Sequence, residues 1–271
     1  MKGIISSILM LLFSACGYSQ ESPLRIGTLY FNPPFEQIFQ GKKYFGFDID
    51  ILFSVCLVMK RECELVPMRF DKLLVALNKN KIDAMIVGIS LMPEDPKNYL
   101  FSYPYFKSEA VFLTLQSNHL ETLNNKTVGM VKNTLFPMAK NYEIVLTGKD
   151  ALPPLNKFEI NFKFYNNLPE LLTALDNHEI DALILDAGAA NFWITQTGDK
   201  YEQIGPVVHV ENGMAIMTTK ANGELIQQIN KALLTIANNN DLLEIYQKYW
   251  QLISPDERPS AYLVMQSQLE Q

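Results

Sequence analysis

Basic charge, histidine and cysteine are all scarce in this 271-residue sequence. Its 23 Lys and Arg residues are outnumbered by 29 Asp and Glu, and a formal net charge of −6 predicts no basic surface for nucleic acid. The three histidines, His119, His178 and His209, are scattered and show no zinc-ligand spacing with the three cysteines. No Ser/His/Asp or Cys/His arrangement typical of nucleophilic catalysis is apparent. The sequence therefore predicts no nucleic-acid partner, no residues arranged for nucleophilic catalysis, no metal and no other cofactor.

Long apolar runs are equally scarce. The sequence contains one, within the first fifteen residues. One Lys precedes the run IISSILMLLF, which is too short to span a bilayer and is typical of a signal-peptide core. We therefore expect residues 1–22 to be a signal peptide with a short N-terminal segment, and the protein to be exported to the periplasm. Phe13-Ser14-Ala15-Cys16 fits a lipoprotein cleavage box that would leave Cys16 lipidated, whereas Ala15-Cys16-Gly17 fits ordinary cleavage. Both alternatives stay open.

Two further cysteines, Cys56 and Cys63, have six residues between them. An exported protein can keep such a pair oxidised, since extracytoplasmic compartments lack the reducing systems of the cytosol. We predict one disulfide between them. Two free buried thiols are the alternative.

One unit of the sequence occurs twice. Leu73–Ser90, LLVALNKNKIDAMIVGIS, returns ninety-eight positions later as Leu171–Gly188, LLTALDNHEIDALILDAG, with eight of eighteen positions identical. In each copy the spacing of Leu-Leu-x-Ala-Leu predicts an amphipathic helix, and Ile-Asp-Ala leads through a turn into a short buried strand. The repeat predicts two similar α/β lobes, and ligand contacts in open α/β sheets lie at strand ends.

The order of these elements predicts a discontinuous first lobe. We expect lobe I to comprise residues 23–109 and 212–271 and lobe II to comprise residues 110–211, because the strand at Met214–Thr218 and two later helices follow the second copy of the repeat. Ser254–Gln271 is a polar tail for which the sequence indicates no role.

Several short motifs occur in an order that resembles the polar amino-acid-binding proteins of ABC importers, from Leu24 to about Trp250. They are Gly27-Thr28, Pro33-Pro34-Phe35, Gly46-Phe47-Asp48-Ile49-Asp50, the Cys-x6-Cys pair, Ile82-Asp83-Ala84, Phe101-Ser-x-Pro-Tyr105, Lys126-Thr127-Val128-Gly129 and Asp181-Ala182-x-x-x-Asp186. The cysteine pair and the run Met-Ile-Val-Gly-Ile-Ser look most like the arginine-binding and lysine/arginine/ornithine-binding branch. The resemblance implies a bilobed type II periplasmic solute-binding fold with a two-strand hinge.

The resemblance also implies which residues contact a solute. The aromatic platforms of the family fall on Phe70 and on Asn32, where the usual Tyr is absent. The amide and hydroxyl contacts fall on Gly88 and Ser90, one hydroxyl of the second lobe falls on Thr134, and the carboxylate for an amino group falls on Asp186. Helix capping is the alternative role of Thr134 and Ser90.

Two departures from the family pattern affect specificity. The Arg that clamps the solute carboxylate aligns with Asp95, and an acidic residue that some basic-amino-acid binders place near the solute side chain aligns with Leu29. Lys132 is a candidate substitute for the missing Arg, although an exposed surface lysine is as good an interpretation. The absence of the Arg predicts weaker binding of free arginine than in relatives, and better tolerance of agmatine, which has no carboxylate.

The resemblance implies the binding component of an ABC amino-acid importer. Such a protein closes its lobes on arginine or a related polar or cationic solute and presents it, as a monomer, to a permease in the inner membrane. One alternative is a sensor or partner-binding module that has lost amino-acid binding. The other is an enzyme similar to the cyclohexadienyl dehydratases, although these keep the carboxylate-binding Arg that is missing here.

Overall fold

A computed structural model describes residues 22–40, 43–88, 96–107, 109–132, 134, 160–209 and 213–250. Its strands form two mixed five-stranded sheets and a small antiparallel one. The first sheet contains, in spatial order, β5 (Cys63–Met68), β1 (Leu24–Leu29), β6 (Ala84–Met85), β13 (Met217–Thr219) and β7 (Tyr99–Phe101). The second contains β10 (Asn161–Tyr165), β9 (Thr127–Val131), β11 (Ala182–Asp186), β8 (Glu109–Leu115) and β12 (Tyr201–His209). The small sheet contains β2 (Phe31–Asn32), β3 (Glu36–Phe39) and β4 (Lys43–Phe45).

Helices cover both large sheets. Within the part of the chain that the structure describes, the α-helices are α1 (Phe47–Met59), α2 (Phe70–Asn78), α3 (Leu168–Asp176), α4 (Ala187–Gln196), α5 (Gly223–Asn238) and α6 (Asp241–Trp250). None of them is both long enough and apolar enough to cross a membrane. Two sheets with their own helices confirm the predicted bilobed α/β fold.

The repeated unit folds the same way in both copies. The first copy lies in α2 and β6, the second in α3 and β11. The Asp of each Ile-Asp-Ala ties its strand to the start of a parallel neighbour: Arg25 N–H donates to Asp83 Oδ2 at 2.8 Å, and Thr127 N–H donates to Asp181 Oδ2 at 2.8 Å. Return bonds run from Asp83 N–H to the Arg25 carbonyl at 2.7 Å and from Asp181 N–H to the Thr127 carbonyl at 2.9 Å. The eight identities therefore reflect a shared way of pairing strands.

Packing behind the repeated strands is also shared. A Cβ built on Gly27 would lie 2.4 Å from Cδ1 of Ile82, and one built on Gly129 would lie 2.5 Å from Cδ1 of Ile180. Each Ile of Ile-Asp-Ala thus packs directly on the backbone of the adjacent strand. A larger residue at either glycine would displace it.

The chain crosses between the large sheets twice. β7 belongs to the first sheet and β8 to the second, while β12 belongs to the second and β13 to the first. The two crossing segments pair with each other, since Met214 N–H donates to the Phe106 carbonyl at 2.8 Å and Tyr105 N–H donates to the Met214 carbonyl at 2.9 Å. The predicted lobe boundaries at 109–110 and 211–212 lie at the first residues of β8 and between β12 and β13, and they stay a prediction.

The predicted disulfide is present. Cys56, in the last turns of α1, is bonded to Cys63, the first residue of β5, with their Cα atoms 6.3 Å apart. Between them Lys60 ends the helix in a left-handed conformation with φ 54°, and its N–H caps the Cys56 and Leu57 carbonyls. The bond therefore fixes the turn from α1 into the edge strand of the first sheet.

Reduction of this disulfide should lower the free energy of unfolding by about 2–3 kcal/mol, because the oxidised bond restricts a short loop of the unfolded chain. Denaturant unfolding with and without reductant measures the change. A variant in which both Cys56 and Cys63 are replaced by Ala serves as control, since its stability should match the reduced protein and should not respond to reductant. Two reactive thiols at these positions in the unreduced, denatured protein would contradict the bond.

Candidate functional site

A pocket of about 270 Å³ lies between the first large sheet with its helix α2 and the second large sheet with its helix α3. On one side it is lined by the carboxyl ends of β1 and β5 and the start of α2, and on the other by the end of β9 and the start of α3. The lining residues are Leu29, Tyr30, Phe31, Met68, Arg69, Phe70, Val131, Asn167, Leu168 and Pro169. Pockets for drug-sized molecules span roughly 300–1,000 Å³, and this one lies just below that range, which suits a smaller solute of amino-acid size.

Phe70 and Leu29 are the predicted site residues that line this pocket. Phe70 is the first residue of α2 and is buried, with the rest of the helix leading away from the pocket. Leu29 is the last residue of β1 and pairs with Met68 at the end of β5. The position of Phe70 suits a platform for a planar group, and its stacking role stays a prediction.

Asn32 and Gly88 are bonded to each other and are not among the residues that line the pocket. The Asn32 side chain is buried, and its Nδ2 donates to the Gly88 carbonyl at 3.3 Å and to Glu36 Oε1 at 3.4 Å. Gly88 N–H donates to Glu36 Oε2 at 3.2 Å. Asn32 therefore ties the end of the repeated strand to the small sheet, where the family pattern expects an aromatic wall.

Asp186 ends β11 and caps α4. Its Oδ1 accepts a hydrogen bond from the Gly188 N–H at 2.8 Å, and the residue is 6% exposed. A Cβ built on Gly188 would lie 3.1 Å from Cζ of Phe35, which follows β2 of the small sheet. The carboxylate is thus held by the second sheet at its contact with residues of the first lobe.

Thr134 and Lys132 follow the end of β9. The Thr134 hydroxyl donates to the Val131 carbonyl at 2.8 Å, and the exposed Lys132 Nζ donates to Asn166 Oδ1 at 3.0 Å. Both residues therefore lie next to Val131, which lines the pocket, and neither lines it. Two other predicted residues, Ser90 and Asp95, lie outside the described residues.

Sequence reasoning missed a buried acidic cluster beside Asp186. Glu36 and Asp48 are both fully buried. Asp48 Oδ2 accepts from the Tyr105 hydroxyl at 3.0 Å, while none of the residues that the structure describes bonds to its Oδ1. Burial, and to a smaller extent the charge of Asp186, raise the pKa of Asp48 to about 8 against the opposing effect of the Tyr105 hydrogen bond. Burial, followed by the charge of Asp48, raises the pKa of Glu36 well above its ordinary value, against hydrogen bonds from Gly88 and Asn32. Asp48 lies in the first turn of α1.

Residues of the two lobes touch around the pocket. Arg69 Nη2 lies 3.6 Å from Glu170 Oε1 of α3, and the rings of Phe31 and Trp193 are in edge contact with centroids 6.0 Å apart. Arg69 also donates from Nε to Asp71 Oδ1 at 3.0 Å. Sequence patterns gave no signal for Arg69, because a polar residue before a helix is expected at any N-terminus. Across the described ranges, no group of His, Cys, Asp and Glu is placed to hold a metal ion.

Comparisons with known proteins agree on one family. A sequence model described as "Bacterial extracellular solute-binding proteins, family 3" matches residues 24–252. ABC transporter arginine-binding protein 1 of Escherichia coli strain K12 is 26% identical, over 92% of this chain and 99% of that protein. The arginine-binding periplasmic protein of Mannheimia haemolytica is 29% identical, over 80% of this chain and 86% of that protein. A crystal structure of an arginine 3rd transport system periplasmic binding protein from Legionella pneumophila has a TM-score of 0.74 at 28% identity, covering 84% of this chain and 99% of that one.

Proposed function

We propose that this chain, which belongs to family 3 of the bacterial extracellular solute-binding proteins, is the binding component of an ABC amino-acid importer and takes up arginine or a related cationic solute. The family match and the arginine-binding relatives confirm the resemblance found in the sequence. One observation carries the proposal: a pocket of amino-acid size lies between the two sheets, and the buried carboxylate of Asp186 ends a strand at the same junction.

The proposed mechanism is hinge closure. A solute in the pocket would touch Phe70 on one side and the start of α3 on the other, so contacts made by both lobes exist only when the lobes are closed. A ligand shifts such an equilibrium by its difference in affinity for the open and closed states. The paired segments around Phe106 and Met214 would form the hinge, because the chain passes between the sheets there.

The acceptor of the closed form would be a permease in the inner membrane. This partner, the monomeric state, export through residues 1–22 and a lipid at Cys16 are part of the proposal. The two relatives from Escherichia coli and Mannheimia haemolytica are binding proteins, and the proposed function involves no catalysis.

A thermal-shift screen over the standard amino acids and their decarboxylated amines tests this function. A solute present at a hundred times its Kd stabilises the folded state by about 2.7 kcal/mol, which corresponds to roughly 5–10 °C in a chain of this size. We expect at least one cationic amino acid or amine to give such a shift. Absence of any shift would favour a module that has lost solute binding, and turnover of prephenate or arogenate would indicate the dehydratase-like enzyme instead.

A further inference from the structure

Arg69 occupies a distinctive place in the pocket. It is the residue before α2, directly preceding the buried Phe70, and of the ten described lining residues it alone carries a charge. No carboxylate is found among those ten. A cationic group of a solute in this part of the pocket would meet a like charge, whereas an anionic group would meet a partner.

The guanidinium of Arg69 has donors to spare. It offers five N–H donors, and the contacts it makes in the described structure use Nε toward Asp71 and Nη2 toward Glu170. The side chain of Arg69 is 49% exposed, so the remaining donors are open to a solute. An arginine fork binds a carboxylate through two parallel hydrogen bonds.

Glu170 does not depend on Arg69. Its carboxylate accepts hydrogen bonds from Asn167 Nδ2 at 2.7 Å, from Asn166 Nδ2 at 3.0 Å and from the Asn166 N–H at 3.2 Å. The Arg69–Glu170 ion pair is longer, at 3.6 Å, and joins two partly exposed side chains, which makes it weak. Arg69 can therefore turn from Glu170 to a solute at little cost.

The helices on both sides favour an anion at this point. Arg69 and Phe70 stand at the amino end of α2, and Asn167, Leu168 and Pro169 stand at the amino end of α3. The positive ends of two helix dipoles therefore face the same pocket, and each favours a negative group. The two helix dipoles therefore strengthen the attraction that the charge of Arg69 exerts on an anionic group.

We propose that Arg69 binds the carboxylate of the solute and so takes the role of the arginine that the family pattern places at Asp95. The inference rests on the proposed function and deepens it: the solute carries a carboxylate, and Arg69 selects for it. Lys132, the substitute considered from sequence, bonds to Asn166 outside the pocket lining.

The test compares amino acids with their decarboxylated amines, such as arginine with agmatine and lysine with cadaverine, by titration calorimetry. Wild type should bind the acid more tightly than the amine. Arg69→Gln should weaken binding of the acid roughly 10- to 100-fold and change binding of the amine by no more than about threefold, because only the acid loses a charged hydrogen-bond pair. Arg69→Lys should fall between, since an ammonium keeps the charge without the planar fork.

Two control variants separate this role from others. Glu170→Gln removes the contact across the cleft and should leave the preference for the acid intact, as should Lys132→Gln. Equal losses for acid and amine in Arg69→Gln, or the same effect in Glu170→Gln, would show that Arg69 acts on lobe closure, and the proposal would be wrong. If wild type binds neither the acid nor the amine of any pair, the proposed function itself is wrong. The titrations of wild type alone show that outcome, whereas the variants test only the role of Arg69.

Discussion

Replacing Asp186 by Asn is expected to weaken binding of a cationic solute by roughly 30-fold or more. The carboxylate is 6% exposed, so a solute ammonium or guanidinium bound to it would be desolvated with it. Removing one partner of such a buried charge pair costs about 2–5 kcal/mol, much of it from the charge that is left unpaired. The substitution keeps the local fold, because Asn caps a helix about as well as Asp and can still accept from the Gly188 N–H.

Calorimetry with the solute that gives the largest thermal shift measures this effect. Asp176→Asn is a matched control, because Asp176 is partly exposed at the end of α3 and bonds to Tyr201 and Lys200 away from the pocket. Its affinity should equal that of wild type. An unchanged affinity in Asp186→Asn would show that the role implied by the family pattern does not apply to this chain.

Replacing Asp48 by Asn should make the stability of the protein much less sensitive to pH. The pKa of Asp48 is raised from an ordinary value of 3.8 to about 8, by burial first and also by the charge of Asp186. Between these two values the folded protein holds a proton that the unfolded chain releases. The free energy of unfolding therefore falls as the pH rises from about 4 to about 8, by at most about 1.4 kcal/mol per pH unit for this one group.

The Asn side chain at position 48 has no proton to lose, so this position no longer contributes to the change in the free energy of unfolding with pH. The groups that interact with Asp48 are the carboxyls of Glu36 and Asp186 and the hydroxyls of Tyr105, Tyr246 and Tyr249. Glu36 has a raised pKa of its own, so Glu36→Gln should flatten the remaining slope further. Chemical unfolding at pH 5, 6, 7 and 8 gives the comparison, with the exposed Asp199→Asn as a control that should keep the wild-type slope. A wild-type stability that rises across this range would contradict the buried, protonated state of Asp48.

The sequence predicted the parts of the fold that depend on local pattern. The repeated Leu-Leu-x-Ala-Leu and Ile-Asp-Ala segments predicted α2, α3, β6 and β11, because amphipathic spacing and a buried apolar run are readable in a single chain. The cysteine spacing predicted the bond between Cys56 and Cys63. The position of Asp186 at a strand end followed from the second copy of the repeat.

The arrangement of side chains around the site depended on contacts between distant segments. Glu36 and Asp48 are twelve positions apart and become one cluster only when the small sheet folds over α1, which no periodicity indicates. Asn32 was predicted at a ligand wall, yet it bonds to Gly88, fifty-six positions away. Arg69 lines the pocket because β5 ends there. If Arg69 holds the carboxylate, the weaker arginine binding and better tolerance of agmatine that the sequence predicts from Asp95 should appear in Arg69→Gln and not in wild type.

We expect this chain to bind one amino-acid-sized cationic solute between its lobes. Titration calorimetry of the purified protein with arginine, followed by lysine, ornithine and agmatine, tests this expectation. We predict saturable binding of at least one of them at one molecule per chain, and competition among those that bind, because they share one pocket. Folded protein that gives no binding heat with any of the four would contradict the account.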